Sequence, residues 1–462
     1  MTKHENITYN EDIIGTIGGT PLVRLRKVIG DAKGLILAKV EHFNPGGSVK
    51  DRIGLNIIEE AEQEGRLKPG GTIVESTSGN TGLGLALVAA VKGYKCVFTL
   101  PDKMSIEKIR LLRAFGAEVI ITPTAVPHES PESYTEVAKK IVRETPNSIL
   151  ANQYYNPRNP ESHYLSTGPE IWEQTGGQIT HFVCGVGTGG TISGTGKYLK
   201  EKNRRIKIIG VDPKGSALKE YYYTRKITPI LKTYKVEGIG QDYVPGTLHF
   251  EHVDEVVEAD DRESFLMARR LTREEGILSG GSAGTAVSGL LKIADRFTDD
   301  DVVVVLLPDS GERYLSKIFD DDWMRENGFL MPERISARYV FDSKRKKPDS
   351  MIAIDQATTV RKALELMREH DISQLPVLKD GASAGSVHDH ELMTKAMEDA
   401  SLIDAPVESV MSPGFPSVEV DAPIEEVIKL MKSKKNAAVL LVKEGRLSGL
   451  LTRYDVIEFM GK

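Results

Sequence analysis

Asn44-Pro-Gly-Gly-Ser-Val-Lys50-Asp-Arg52 is the stretch on which the reading of this chain turns. Pro45, Gly46 and Gly47 make a turn, and a helical pattern follows from Asp51 to Glu64, with Ile53, Ile57, Ile58 and Ala61 at core spacing. Lys50 therefore stands in the first turn of a helix, where the helix dipole disfavours a cation. A lysine in such a place is solvated, paired, or no cation at all. A Schiff base with an aldehyde removes the conflict. An ordinary surface lysine beside Asp51 explains this stretch as simply. The choice rests on the rest of the chain.

The chain has 462 residues, a length that suits two to four domains. Apolar residues make up 40% and charged residues 27%, the composition of an ordinary globular protein. A net charge of −6 argues against nucleic-acid binding, which wants a basic face. Cys96 and Cys184 each lie in an apolar run and read as buried strand residues. Two separated thiols make neither a disulfide framework nor a zinc site. The start, Met1-Thr-Lys-His-Glu-Asn, carries no apolar signal core, and no run approaches the roughly 18 apolar residues of a membrane span. A cytoplasmic protein with no membrane partner is expected.

Working outward from Lys50, short apolar runs alternate with helical patterns up to about residue 325. The runs are Leu35–Val40, Thr72–Glu75, Cys96–Leu100, Glu118–Ile121, Phe182–Gly185, Ile206–Val211 and Val302–Leu307. They are rich in Val and Ile and do not alternate, as strands buried on both faces of a parallel sheet read. The expected class is α/β with open, helix-covered sheets over residues 1–325. Residues 326–348 read as a linker, ending in the charged, turn-prone Ser343-Lys-Arg-Lys-Lys-Pro348. Residues 349–462 hold an internal repeat at an offset of 64: Met367 falls on Met431, Lys379 on Lys443, Gly381 on Gly445, Gly385 on Gly449, and His388 on Thr452. Each copy reads strand, helix, strand, tight turn, strand, helix.

Three further motifs carry chemistry. Glu75-Ser-Thr-Ser-Gly-Asn-Thr-Gly82 joins a strand to a helix and gathers backbone N–H groups and short hydroxyls. That suits a carboxylate or phosphate, although a plain helix cap would need only one such residue. Gly185-Val-Gly-Thr-Gly-Gly-Thr191 follows another strand and lets the backbone approach an anion at a helix start. It lacks the glycine spacing of a dinucleotide fingerprint and the Gly-Lys-Ser/Thr ending of a nucleoside-triphosphate loop. Ser279-Gly-Gly-Ser-Ala-Gly284 places Ser282 near a helix start, as a cap or as a single hydrogen-bonding ligand.

Together with Gly18-Gly-Thr-Pro-Leu22, these elements occur in the order seen in the tryptophan synthase β-like pyridoxal-phosphate enzymes, and residues 8–320 resemble that family. The likeness is strongest to its cystathionine β-synthase and cysteine synthase branches. It implies a fold-type II core of two open α/β subdomains. It implies that Lys50 carries pyridoxal 5'-phosphate, that Asn80 faces the ring hydroxyl, and that Gly187, Thr188, Gly189, Gly190 and Thr191 hold the phosphate. Ser282 then meets the pyridine nitrogen, and Thr77, Ser78, Thr81 and Gln153 take the substrate carboxylate. A neutral serine at the ring nitrogen makes a milder electron sink than an aspartate, which fits β-elimination and replacement better than transamination.

The tandem repeat resembles the paired regulatory repeats, called a Bateman module, that bind adenosyl ligands and follow many cystathionine β-synthases. That favours homocysteine as the second substrate, and the expected reaction is L-serine plus L-homocysteine to L-cystathionine, with hydrogen-sulfide release from cysteine as a side activity. Cysteine synthase, or an O-acetylserine-dependent cystathionine synthase, is the alternative. Gln241 stands where cystathionine synthases tend to have tyrosine, and Glu237 and Asp242 are candidates for meeting an amino group or plain surface acids. The haem-binding extension of the animal enzymes has no counterpart before Gly18, so no haem is expected. In the second repeat Thr452 and Asp455 match a ribose-gripping pattern; His388 and Glu391 of the first fit it poorly. One site for S-adenosylmethionine or an adenine nucleotide is expected, and a homodimer or higher homo-oligomer. A nucleotide sensor with a retired catalytic fold is the reading from another class, and an intact Lys50 argues against it.

Overall fold

The parallel strands around Val302–Leu307 organise the first of two units, Met1–Leu330 and Met331–Lys462. The structure is a computed structural model. It describes residues 8–77, 79–102, 106–123, 126, 130–228, 233–331, 334–344, 351–432 and 437–460. Val302–Leu307 is a run of Val and Leu with five of its six residues buried, and it lies inside a six-stranded sheet. The spatial order is Leu22–Arg24, Leu35–Val40, Val302–Leu307, His181–Gly185, Lys207–Pro213 and Glu255–Ala259. Only the first pairing is antiparallel. A second sheet, all parallel, runs Glu118–Thr122, Lys95–Pro101, Thr72–Ser76, Ser148–Leu150. The α/β class expected from the apolar runs is what the chain forms. Cys96 and Cys184 are buried strand residues, and burial pushes the Cys96 thiol up to about 12.

Three strands escaped the sequence reading, for visible reasons. Leu22–Arg24 and Ser148–Leu150 have three residues each, too few for a periodicity. Glu255-Val-Val-Glu-Ala259 is bracketed by carboxylates, because it is an edge strand paired on one side only.

Helix Lys50–Gln63 begins at Lys50 itself, one residue before the expected start. Val49 N–H donates to Pro308 O at 2.8 Å, tying the helix start to the end of strand Val302–Leu307. Helix Asn80–Lys92 crosses it closely. A Cβ on Gly54 would lie 2.6 Å from the carbonyl carbon of Gly84, so the two glycines let the backbones meet. The loops after Thr72–Ser76, His181–Gly185 and Val302–Leu307 all leave the carboxyl ends of parallel strands. Ligands bind there in open α/β sheets.

The second unit repeats itself in register. Strands Gln374–Lys379 and Ala382–His388 match Ala438–Lys443 and Arg446–Thr452, and helix Asp389–Glu398 matches Arg453–Met460. The bulge between Val377 and Leu378 recurs between Leu441 and Val442. Both hairpins turn on an acid and a glycine of positive φ, Asp380 (51°)-Gly381 (79°) and Glu444 (51°)-Gly445 (76°). That is the two-residue turn whose twist matches paired strands.

The stretch read as a linker, 326–348, is more than a linker. Its residues Ala337–Asp342 form a helix, and Ala337 and Val340 are buried in the core of the second repeat with Val427, Val439 and Leu451. Ala337 N–H donates to Ala422 O and Arg338 N–H to Val420 O, each at 2.8 Å. The charged Ser343–Pro348 tail drew attention away from the apolar Ala337, Val340 and Phe341 before it.

Candidate active site

A cavity of about 840 Å³ opens in the first unit at the carboxyl ends of its strands. It is lined by Lys50, Thr77, Asn80, Thr81, Gln153, Thr188 and Ser282. Those residues span more than 230 positions of sequence, and the fold brings them to one place. Ser78 lies outside the described residues. Gly187, Gly189, Gly190 and Thr191 make the turn that carries Thr188 into the helix Gly190–Lys202. Thr452 and Asp455 belong to the second unit.

Lys50 reaches this cavity because the Pro45–Gly47 turn is locked. Gly46 N–H donates to Asp51 Oδ2 at 2.6 Å, and Lys50 N–H to Ser48 Oγ at 3.2 Å. Among the described residues the Lys50 ammonium has no hydrogen bond or ion pair. Burial lowers its pKa, opposed by the charges of Asp309 and Glu41. The helix dipole acts in the same direction as burial. The result is an amine biased toward its neutral, nucleophilic form. Asp51 next to it is fully buried, and burial pushes its carboxyl up to about 7.

Asn80 is clamped from both ends. Its Nδ2 donates to Asp309 Oδ2 at 2.8 Å, and its Oδ1 accepts from Arg313 at 2.6 Å. Tyr314 Oη donates to the same Asp309 oxygen at 2.6 Å. Asp309 Oδ1 is buried without a partner among the described residues. The Asp309–Tyr314 cluster was missed in sequence. Its signal was there, an acid two residues past a fully apolar strand, where open sheets place ligand-binding groups.

The loop after Thr72–Ser76 turns at Gly79, whose φ of 133° only glycine adopts easily. Thr77 Oγ1 accepts from Gly79 N at 3.0 Å, and Thr81 Oγ1 donates to Gln153 Oε1 at 2.6 Å. Two hydroxyls and an amide thus converge on one wall of the cavity. In the loop after strand His181–Gly185, Gly189 has φ 85° and caps the helix Gly190–Lys202. Cβ atoms on Gly187 and Gly190 would strike Gly238 O (2.6 Å for Gly187) and Asn159. A tight glycine turn at the start of a 13-residue helix has the shape of an anion site. Thr191 Oγ1 and His163 Nε2 are joined at 3.3 Å, and burial with the charges of Lys50 and Arg52 holds that imidazole well below its usual range, neutral. Ser282 lies in the first turn of helix Gly281–Leu291.

At the mouth, Glu237 accepts from Lys317 Nζ at 2.6 Å and pairs with Lys108. Burial works to raise its carboxyl, and the two lysines hold it below the ordinary value. Glu237 is therefore no loose surface acid. Gln241 lines the cavity and donates to Tyr154 Oη at 3.4 Å, whereas Asp242 is exposed at the rim. Among the described residues no cluster of His, Cys, Asp and Glu could hold a metal ion, and no helix is long and apolar enough to cross a membrane.

An amine biased toward its neutral form, a glycine turn at a helix start and a loop of converging hydroxyls line one α/β cleft. Such a cleft suits a pyridoxal-phosphate enzyme, and the chain belongs to that family: the profile described as "Pyridoxal-phosphate dependent enzyme" matches residues 13–309. The profile of the CBS domain matches residues 348–398 and 407–462. The chain is similar to the cystathionine beta-synthase of Dictyostelium discoideum, 40% identical over 98% of this chain and 92% of that protein. It is also similar to a cysteine synthase of Staphylococcus aureus, 44% identical over 67% of this chain and 98% of that one. A solved structure, a hydrogen sulfide-producing enzyme of Fusobacterium nucleatum, matches with a TM-score of 0.62 and 38% identity, over 66% of this chain and all of that one.

Proposed function

We propose that this enzyme performs a β-replacement, condensing L-serine with L-homocysteine to L-cystathionine and water. The observation that carries the reading is the extent of the similarity: the Dictyostelium cystathionine beta-synthase aligns with 98% of the chain, repeats included, and the cysteine synthase with 67%. Release of hydrogen sulfide from cysteine fits the same site, and the Fusobacterium neighbour is described by that activity.

The residues fit the cofactor on their own geometry. The unpaired Lys50 amine suits its aldehyde, and the cramped Gly187–Gly190 turn suits its phosphate. In this reading Gly187, Thr188, Gly189, Gly190 and Thr191 hold the phosphate, Asn80 meets the ring hydroxyl, and Ser282 meets the ring nitrogen. When bound, pyridoxal phosphate supplies the electron sink that loosens the α-proton and the β-substituent of an amino acid.

The chain's own residues do the rest. Thr77, Ser78, Thr81 and Gln153 hold the substrate carboxylate and so fix the amino acid's orientation. Lys50 Nζ takes the proton from serine Cα and delivers one to the departing hydroxyl. Lys50 Nζ then takes the proton of the homocysteine thiol, the sulfur adds at Cβ, and Lys50 Nζ returns that proton to Cα. Glu237, held by Lys108 and Lys317, restricts the mouth through which the second substrate enters.

The domain reading pairs a catalytic core ending near residue 325 with a regulatory module at 349–462. In that module Thr452 and Asp455 bind the ribose of S-adenosylmethionine or an adenine nucleotide. The enzyme acts as a cytoplasmic homodimer without haem. The test is a steady-state assay crossing L-serine and O-acetylserine with homocysteine and sulfide. The highest kcat/KM is expected for serine with homocysteine. Turnover confined to O-acetylserine and sulfide would establish a cysteine synthase instead.

A further inference from the structure

A buried carboxyl that the mechanism leaves unused stands behind the substrate-carboxylate loop. Glu75 is the fourth residue of strand Thr72–Ser76 and is fully buried. Its Oε2 accepts from Asn152 N at 2.6 Å, and its Oε1 from Gln153 N at 3.3 Å. Asn152 is held at φ 56°, a left-handed conformation costly for a residue other than glycine. The two amide bonds to Glu75 help fasten that strained turn, beside those of Tyr155 N and Asn156 N to Asn152 O.

Gln153 then connects both halves of the site. Its side chain accepts from Thr81 on the substrate side. Its carbonyl accepts from Asn159 Nδ2 at 2.7 Å, and the same Nδ2 donates to Thr188 Oγ1 at 3.0 Å, in the phosphate cradle. A shift of the 152–153 backbone would therefore move the groups that grip the substrate and the groups around the phosphate.

Among the described residues the titratable groups facing Glu75 are tyrosines: Tyr134 from the helix Tyr134–Glu144, Tyr154 from its own loop, and Tyr243 from the segment across the cavity. Asp242, beside Tyr243, is exposed. The charged residues of that helix pair with one another at the surface, Lys139 with Glu136 and Lys140 with Glu144, and Arg143 is exposed. On the neighbouring strand Lys95–Pro101, Glu75 is opposite Phe98, and Lys95 is exposed at the far end. Among the described residues no cation pairs with Glu75, and burial pushes its carboxyl up to about 8 in spite of the two backbone amide donors and the Gln153 side chain.

We propose that Glu75 positions Gln153 and Thr81 for the substrate carboxylate, and that ionisation of Glu75 drives an anionic substrate out of that loop. The inference rests on the reading of Thr77, Thr81 and Gln153 as the carboxylate site. A second negative charge directly behind that site, screened little by water, opposes the substrate's own carboxylate. The neutral acid keeps the loop in place without that repulsion.

The test is kcat and KM for L-serine, at saturating homocysteine, from about pH 7 to about pH 9.5, on wild-type, Glu75→Gln and Gln153→Ala holoenzymes. Wild-type KM should rise about tenfold for each pH unit above the Glu75 pKa, with kcat changing far less. The KM of Glu75→Gln should lack that rise. The ratio of the two at each pH cancels the titration of the substrate's own amino group. A wild-type to Glu75→Gln KM ratio that stays flat across this range overturns the proposal. Infrared difference spectra of the wild type test it without a variant. A carboxylic-acid carbonyl band that fades past about pH 8, with a midpoint raised by L-serine, supports it. A midpoint indifferent to L-serine overturns it. Gln153→Ala with an unchanged serine KM would instead overturn the reading of the loop itself.

Discussion

Substituting Gly189 with alanine isolates the cradle from every other part of the site. Gly189 sits at φ 85°, and a Cβ there would clash with the Leu248 side chain and stand 2.6 Å from Leu248 Cα. Leu248 is buried and cannot swing into solvent. The left-handed backbone costs an alanine about 1–2 kcal/mol. Overpacking a tight contact adds about 1–3 kcal/mol. Without the cofactor the turn can relax away from Leu248 and shed part of that cost. With the phosphate in place the turn must be restored, so the cost appears as lost affinity. The part shed is at most the total of roughly 2–5 kcal/mol, so cofactor affinity falls by up to roughly 30- to 4,000-fold. The control is Gly93→Ala. Gly93 ends the helix Asn80–Lys92 at φ 77° with nothing near its missing Cβ, so it incurs the backbone cost alone. Titrating pyridoxal phosphate into dialysed protein, followed by its visible absorbance, separates the two. Gly93→Ala should bind as the wild type does. Wild-type affinity in Gly189→Ala would refute the assignment of this turn to the phosphate.

Lys50→Ala should abolish turnover and the visible absorbance of the bound cofactor while leaving the circular dichroism of the fold unchanged; normal turnover would remove Lys50 from the chemistry. Asp212 is buried at the end of strand Lys207–Pro213, with Oδ2 accepting from Lys219 N at 2.8 Å and Oδ1 without a hydrogen bond among the described residues, and burial pushes its carboxyl up to about 7. The unfolded chain releases that proton near pH 4, so between about pH 4 and 7 the folded state binds more protons and stability falls as pH rises. Asp212→Asn should flatten this decline in urea unfolding midpoints measured across that window; a wild-type slope in the variant would contradict it. Asp455→Ala removes a charged acceptor worth about 1.5–3 kcal/mol and should weaken nucleotide binding roughly ten- to a hundredfold by calorimetry. Unaltered binding, or none by the wild type to S-adenosylmethionine, ATP or AMP, would dismiss this site.

The sheets were legible because strands buried on both faces leave continuous apolar runs, and Val302–Leu307 is the plainest of them. The repeats were legible because the same turn needs the same residues twice, an acid and a glycine at positive φ. Edge and three-residue strands were not, since half-exposed pairing tolerates charge and a short run has no period. The helix Ala337–Asp342 was hidden for another reason. Its core lies in the second repeat, some 80 residues later in the chain, so nothing local announces which residues will cover it. Asp455 shows the same limit. Its sequence pattern suggested a carboxylate open to a ribose, yet its Oδ2 accepts from Thr452 N and Oγ1, each at 2.7 Å, and pairs with Lys344 at 2.8 Å. A diol entering there has to compete with a lysine from the stretch read as linker.

The site divides along the same line. Lys50, Asn80, Thr188 and Ser282 stand out because each follows a glycine turn at a helix start, and such turns are written in consecutive residues. The groups that hold them are not. Asp309 reaches Asn80 across 229 positions, and Glu75 reaches Gln153 across 78. Their residue types carry no signal either, because a buried acid and a surface acid look alike until the fold encloses one. What distinguishes them is cost. Burying a carboxyl beside no cation is expensive, and a fold retains it only where its hydrogen bonds do something a hydrophobic side chain cannot. Glu75 meets that condition: two amide donors of a strained turn converge on it, and a leucine in its place would leave both unpaired.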